Sequence, residues 1–523
     1  MEKQKKIEIY DTTLRDGAQG ENVFFTLHDQ IKIAEKLDEF GFDYIEGGWP
    51  GSNPKAEEFF KKMAMRKLKH SKLVAFGSTR RKNLTADKDP FLKALLDAET
   101  DIIIIFGKSW DLHVKEVLKI SLEENLNLIS DSVSFLKSKG KTVFFDAEHF
   151  FDGYKENQEY AIKTLLVAQE AGAERIVLCD TNGGSLPFEV EEIVKKVCGL
   201  LRVPIGIHAH NDSGTAVANS IAAVRAGAVH VQGTINGFGE RCGNADLTSI
   251  IPILQIKMGF KCLEEEKLNH LTGLSRYVYE VANIVPPNNQ PFVGYSAFAH
   301  KGGIHIDAVG KNPRTYEHIC PERIGNQRRI LISELSGKST VLQKLGKYGI
   351  EKQPELVKKI LDTVGQLEKD GYQFEAAEAS FELMVRKMLG LYKAPFVVEG
   401  FRVIVEEKGS KIVAEATVKI KVGRRTEYTV AEGNGPVNAL DNALRKALTP
   451  FYQCISDLKL TDYKVRILRP EKATAAITRV LIESMDQNET WGTIGLSENI
   501  IEASWSALVD SFTYKIIKET EKI

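Results

Sequence analysis

At 523 residues the chain exceeds one ordinary domain and carries enough apolar residues to bury a core in each of two or three. Its 70 basic side chains against 71 acidic ones leave a net charge of -1, which excludes the basic footprint of a nucleic-acid binder and a face drawn to anionic membranes; no apolar run approaches a membrane span. Six cysteines are scattered without a CxxC pair, and Met1–Lys6 lacks the apolar stretch of a secretory signal, so a cytoplasmic protein acting on a small molecule is expected.

The first expected strand is Ile7–Tyr10, and it runs directly into Asp11-Thr12-Thr13-Leu14-Arg15-Asp16-Gly17-Ala18-Gln19. Charge delivered at the C-terminal end of a strand is where parallel barrels keep their active sites. The plainer alternative is a turn capped by Asp11 and a surface pair between Arg15 and Asp16. Thr26-Leu27-His28-Asp29 then forms a capping box, and Leu27, Ile31, Ala34 and Leu37 recur at helical spacing until Gly41. Further strands are expected at Tyr44–Glu46, Leu73–Phe76, Ile102–Phe106, Thr142–Phe145, Ile176–Leu178, Ile205–Ala209 and Val229–Val231. Helical stretches separate them, often closed by glycine before the next strand, as at Gly172 and Gly227. Eight strands alternating with helices predict an α/β fold, a (β/α)8 TIM barrel over residues 1–275. A doubly wound open sheet is the alternative with the same pattern.

A barrel gathers its strand ends on one face. Arg15 and Asp16, Glu46, Asp146 and Glu148, Asp180 and Thr181, His208 and His210, and then Glu240, Arg241 and Asn244 would share that rim. In His208-Ala209-His210 the two imidazoles stand two apart on a strand and project from one face. Two histidines with Asp16 make a divalent-metal set, with Asn244 as a fourth, neutral oxygen; Mn²⁺, Mg²⁺ and Zn²⁺ all suit it. A pair of hydrogen-bonded rim histidines is the bland alternative. Gly237–Asn244 has GxGxxxG spacing after the last strand rather than before a helix, so it is not a dinucleotide loop; Glu240 and Arg241 are expected to tie the rim by ion pairs. Cys179 and Cys242, near this rim without a motif, are expected to be buried and unreactive.

Beyond the barrel, Leu274–Val285 reads as a helix broken by Pro286-Pro287, and a helix start is expected at 334–339. Helical subdomains over 276–392 give way at Phe401 to strict alternation, Val413, Glu415 and Thr417 against Ala414, Ala416 and Val418. Gly433-Asn434-Gly435-Pro436 opens a helix over Val437–Leu448, and a second strand and helix series spans Tyr463–Ile517, so 393–523 is expected to be an α+β domain.

Asp11–Gly17, His208-Ala209-His210-Asn211-Asp212 and Gly239–Asn244, in this order and spacing, resemble the DRE-type TIM-barrel metalloenzymes that condense acetyl-CoA with 2-oxo acids, the 2-isopropylmalate, homocitrate and citramalate synthases. Ala299–Asp307 and Tyr316-Glu317 resemble the family's post-barrel segment, and Gly492–Ser504 its regulatory domain, so the resemblance covers almost the whole chain. Phe145–Gly153, Cys179–Gly184 and Gly47–Pro54 are most similar to the citramalate synthase branch, although Asp146 stands where some of that branch place an aromatic residue. The resemblance implies pyruvate as the 2-oxo acid and (R)-citramalate as the product. It implies a metal on Asp16, His208 and His210, Arg15 at the developing alkoxide, and Thr181 with Asp146 at the substrate. It leaves acid and base work among Glu148, His305 and Tyr316, the last two in a segment that commonly reaches a partner subunit's barrel. It further implies a homodimer regulated by an end-product amino acid, isoleucine first. Plainer roles are a rim ion pair with Arg15 for Glu148 and simple packing for His305 and Tyr316.

Overall fold

The computed structural model describes residues 5–331, 354–409, 411–468, 476–487 and 489–521; the helix start expected at 334–339 lies outside them. The chain divides into two units, Met1–Phe298 with His318–Gln327, and Ala299–Glu317 with Arg328–Ile523.

In the first unit eight parallel strands form a closed barrel: β1 (Glu8–Asp11), β2 (Tyr44–Gly48), β3 (Lys72–Ser78), β4 (Ile102–Lys108), β5 (Thr142–Glu148), β6 (Arg175–Asp180), β7 (Ile205–Ala209) and β8 (His230–Gly233). Closure is carried by β1 on β8, where Glu8 to Asp11 pair in register with His230 to Gly233, and this rules out the open sheet. Every expected strand is present. Several run further toward their C-terminal ends than hydropathy suggests, because the parallel ladder continues through polar residues, Phe106 opposite Asp146 and Lys108 opposite Glu148. Backbone pairing is indifferent to side-chain polarity where the side chains reach a solvated mouth.

Strand alternation divides the apolar residues between two cores. Ile103, Ile105, Val143, Phe145, Ile176 and Leu178 pack with the surrounding helices. Tyr10, Tyr44, Val74, Phe76, Ile102, Ile104, Phe144, Val177 and Cys179 form the other cluster, inside the barrel. His230, fully buried, stands against Tyr10, Tyr44 and Phe144 with ring centroids 5.3, 5.5 and 5.9 Å away. Burial pushes its pKa down to about 4, against the pull of Glu8.

The helix Leu27–Phe40 begins with the expected capping box. The Thr26 hydroxyl accepts from the Asp29 amide at 3.2 Å, the Thr26 amide donates back to the Asp29 carboxylate at 2.8 Å, and Gly41 ends the helix at φ +88°. The helix expected at Leu274–Val285 instead spans Leu271–Val281. Its buried stripe of Leu271, Leu274 and Val278 starts one turn sooner, and Asn283, at φ +55°, turns the chain before the prolines are reached. Among the described residues no helix is long and apolar enough to cross a membrane.

The second unit holds a short parallel pair, β9 (Ala299–His300) with β10 (Arg329–Ile330), and helices Gly303–Lys311, Pro354–Asp370 and Glu378–Met388. Then comes one pattern twice. Antiparallel β11 (Val397–Lys408), β12 (Lys411–Val422) and β13 (Arg425–Gly433) precede the helix Pro436–Leu448; β14 (Lys459–Leu468), β15 (Ile477–Met485) and β16 (Thr490–Ser497) precede the helix Ile500–Glu521. Ala414, Ala416, Val418 and Ile420 are buried on one face of β12, in a core shared with Leu440, Leu444, Val480, Leu508 and Phe512. The alternation therefore reads the sheet faces correctly.

Candidate active site at the barrel mouth

The turn after β1 is built by its own side chains. The Thr13 amide and hydroxyl donate to Asp11 at 2.9 and 2.8 Å, and the Thr13 hydroxyl accepts from the Ile235 amide at 2.9 Å, which ties the turn to the chain after β8. Asp11 is fully buried, and burial raises its pKa to about 7. It is a scaffold, and it directs the next two side chains into the mouth.

Arg15 is clamped on three sides. Its Nε is hydrogen-bonded to Glu46, Nη1 donates to Asp16 at 2.9 Å, and its guanidinium carbon lies 3.9 Å from the centroid of the Phe76 ring. Glu46 is itself fully buried and accepts from Tyr10 Oη at 2.5 Å and Thr12 Oγ1 at 2.8 Å. The clamp fixes the direction of the guanidinium before any ligand arrives.

Asp16, His208 and His210 converge, each with a ligand atom within 4.8 Å of the others. The His208 Nε2 and His210 Nε2 atoms stand 3.5 and 3.7 Å from the Asp16 carboxylate and 3.3 Å from each other. Burial, then the neighbouring His210, drives the His208 pKa down to about 3, and burial lowers that of His210. Both shifts favour the neutral ring, the form that can offer a lone pair. Burial alone would raise the Asp16 pKa, but the charge of Arg15 foremost, with the hydrogen bond from Asn244, outweighs it and holds the carboxyl below its ordinary value. Asn244 Nδ2 donates to Asp16 at 2.9 Å, while its buried Oδ1 has no hydrogen-bond partner. Two neutral imidazoles, a carboxylate and an orphaned amide oxygen fit a divalent cation with mixed nitrogen and oxygen ligands.

Asp146, Glu148, Thr181, Phe106 and Cys179 line the same cavity. Burial, then the charge of Glu46, pushes the Asp146 carboxyl well above its ordinary pKa, and it accepts from Gln232 Nε2 at 3.3 Å. Glu148 is paired with Lys108 at 2.5 Å and not with Arg15. The Thr181 hydroxyl accepts from the His149 amide at 2.9 Å and retains its own proton for a ligand. Arg241 grips Asp212 with two bonds of 2.8 and 2.9 Å and the Thr181 carbonyl at 2.7 Å, the rim tie expected of it. Cys179 is buried, with its thiol pushed up by burial, whereas Cys242 is exposed; it sits in the rim turn between Arg241 at φ +57° and Gly243 at φ +87°. His305 and Tyr316 belong to the second unit, where both are exposed and stack on one another at 4.1 Å.

The profile of the HMGL-like family matches residues 6–278, a span that begins before β1 and ends after β8. The chain belongs to the HMGL-like family. Beyond its HMGL-like barrel, residues 292–371 match the homocitrate synthase post-HMGL domain and 375–516 the LeuA allosteric (dimerisation) domain. The (R)-citramalate synthase of Geobacter sulfurreducens is 56% identical over 98% of this chain and 98% of its own. That of Aquifex aeolicus is 55% identical over 99% of each. Among solved structures, an HMG-CoA lyase of Bacillus subtilis is 23% identical, with a TM-score of 0.47, and covers 55% of this chain and 98% of its own.

Three residues of the HMGL-like barrel that pair with side chains of this site escape sequence reasoning: Lys108, Tyr10 and Gln232. Lys108 lies past the apolar run of β4, and Tyr10 reads as one more apolar strand residue. Gln232 did leave a signal, since it stands two after His230 on β8 and so shares its inward face.

Proposed function

We propose that the chain condenses acetyl-CoA with pyruvate and water to give (R)-citramalate and CoA, an acyltransferase reaction in which the acyl group becomes an alkyl group. The observation that carries this is near-full-length identity above one half to two (R)-citramalate synthases. A divalent cation on Asp16, His208 and His210, with Asn244 beside them, would act as Lewis acid and template for the 2-oxo acid. Mn²⁺, Mg²⁺ and Zn²⁺ all suit the donor set.

The chain's own residues supply the rest. Arg15, held by Glu46 and Phe76, directs its fork at the keto oxygen, which becomes an alkoxide as the new carbon–carbon bond forms. Thr181 donates to the substrate carboxylate, and Asp146, which lines the same cavity, contacts the substrate beside it. The thioester methyl must lose a proton to form the attacking enolate. Glu148, His305 and Tyr316 are the groups proposed for that proton and for its return to the alkoxide. Water then cleaves the citramalyl thioester, releasing CoA and making the sequence irreversible.

The proposed organisation is a catalytic barrel over 1–275, helical subdomains over 276–392 that contribute to the active site of a partner subunit, and a regulatory and dimerisation domain over 393–523. The LeuA-type match supports a homodimer with an allosteric effector, isoleucine, the end product of the route that citramalate opens. Six free cysteines support the cytoplasm as its location. The test is CoA release from acetyl-CoA with pyruvate, 2-oxoisovalerate and 2-oxoglutarate in turn. Pyruvate should exceed the others in kcat/KM by roughly 100-fold or more. Preference for 2-oxoisovalerate or 2-oxoglutarate would instead identify a 2-isopropylmalate or homocitrate synthase.

A further inference from the structure

His208 has two ring nitrogens, and only a lone pair on Nε2 can reach the point where Asp16 and His210 converge. Which nitrogen carries the proton is therefore decided on the far side of the ring. There Nδ1 faces Gln232 Oε1 at 3.0 Å, and both residues are buried, Gln232 fully. An amide oxygen has no hydrogen to give, so the bond exists only if Nδ1 carries a proton, which in the neutral ring leaves Nε2 bare. The amide could be turned end for end, and a further contact argues which way it lies. Gln232 Nε2 donates to Asp146 Oδ1 at 3.3 Å, across the barrel from β8 to β5. With its nitrogen engaged by Asp146, Gln232 can offer His208 only oxygen.

We infer that Gln232 is a positioning residue for the metal centre: oriented by Asp146, it holds His208 in the Nδ1–H form and aims Nε2 at the cation. The inference rests on the reading of Asp16, His208 and His210 as metal ligands. Its physical content is that of an outer partner to a ligating histidine, which sets tautomer and ring angle and raises the basicity of the ligand nitrogen. It also links the cavity wall at Asp146 to the metal ligand through two hydrogen bonds.

The test uses the full-length protein, freed of metal by chelation and titrated with Mn²⁺ by calorimetry. Gln232→Met, close in shape but without an acceptor, should weaken the Kd for Mn²⁺ by roughly 10- to 100-fold. Gln232→Glu, which restores an acceptor opposite Nδ1–H, should recover most of the loss. Equal affinity of wild type and Gln232→Met overturns the inference. Failure of the wild type to bind Mn²⁺ overturns the metal reading beneath it. A second measurement needs no variant at Gln232 to fold: ¹⁵N spectra of histidine-labelled, metal-free wild type, with the His208 signals identified by their loss in His208→Asn. A proton on Nδ1 is expected, and a proton on Nε2 would mean the amide lies the other way round and would overturn the assignment.

Discussion

Arg15 shows how much of a side chain's aim is settled by its neighbours. Three contacts of different kinds, an ion pair with buried Glu46, a bond to Asp16 and the face of Phe76, define both the position and the plane of its guanidinium. Lysine keeps the charge but has no planar fork and cannot satisfy all three. Arg15→Lys should therefore lower kcat by roughly 100-fold or more, with a smaller change in KM for pyruvate, in steady-state assays of CoA release. His230 makes a different statement. It folds as a neutral ring with a pKa near 4, below its ordinary 6.5, so the unfolded chain binds more protons between those two values. Its contribution to stability is complete above pH 6.5 and is lost as the pH falls toward 4; a gap of this width corresponds to about 3 kcal/mol. Wild type should lose melting temperature over that interval faster than His230→Leu does, and parallel curves would refute the account.

Among the elements, the turn after β8 carries the tightest steric requirement in the site. Gly239 lies at φ +155°, and a Cβ there would stand 2.1 Å from Asn244 Nδ2, the atom that donates to Asp16. Gly239→Ala should displace Asn244, weaken Mn²⁺ binding measurably in a calorimetric titration and leave the barrel's circular dichroism unchanged, because Gly239 itself lies in no strand. The strands and the first helix were legible because each is written in local terms, an apolar run or a cap three residues from its partner. Strand ends were less so: hydropathy stops at Phe145 while β5 continues to Glu148, since hydrogen bonding to β4 rather than apolar burial carries the last residues. The convergence of His208 and His210 was legible from spacing, as two histidines two apart on a strand must share a face. Lys108 as the partner of Glu148 was not, because the pairing depends on β4 and β5 lying in register, Lys108 opposite Glu148, a fact with no local mark. Cys242 misled for a similar reason, since exposure there follows from the left-handed residues on either side.

At the scale of the molecule, the barrel and the duplicated three-strand-and-helix unit belong to separate compact units. The repeat packs β12 and β15 with the two helices that follow the triplets into one core, distinct from that of the barrel. If isoleucine is the effector of the second unit, saturating isoleucine should raise that unit's melting transition in calorimetry while the barrel transition moves little, and inhibition of CoA release should track the same concentration range; a shift confined to the barrel would place the effector elsewhere. Barrel closure has a temporal side as well. The bond from Asn244 to Asp16 spans 228 positions, and β1 finds β8 only after every intervening unit has been made. On a ribosome one edge of the amino-terminal strand must wait unpaired until the eighth strand has emerged; contacts so distant in sequence are slow to form. If Asp16 and His208 hold a cation, its capture by the two together is then a late event in folding, and nascent chains short of β8 should not bind it as the finished barrel would.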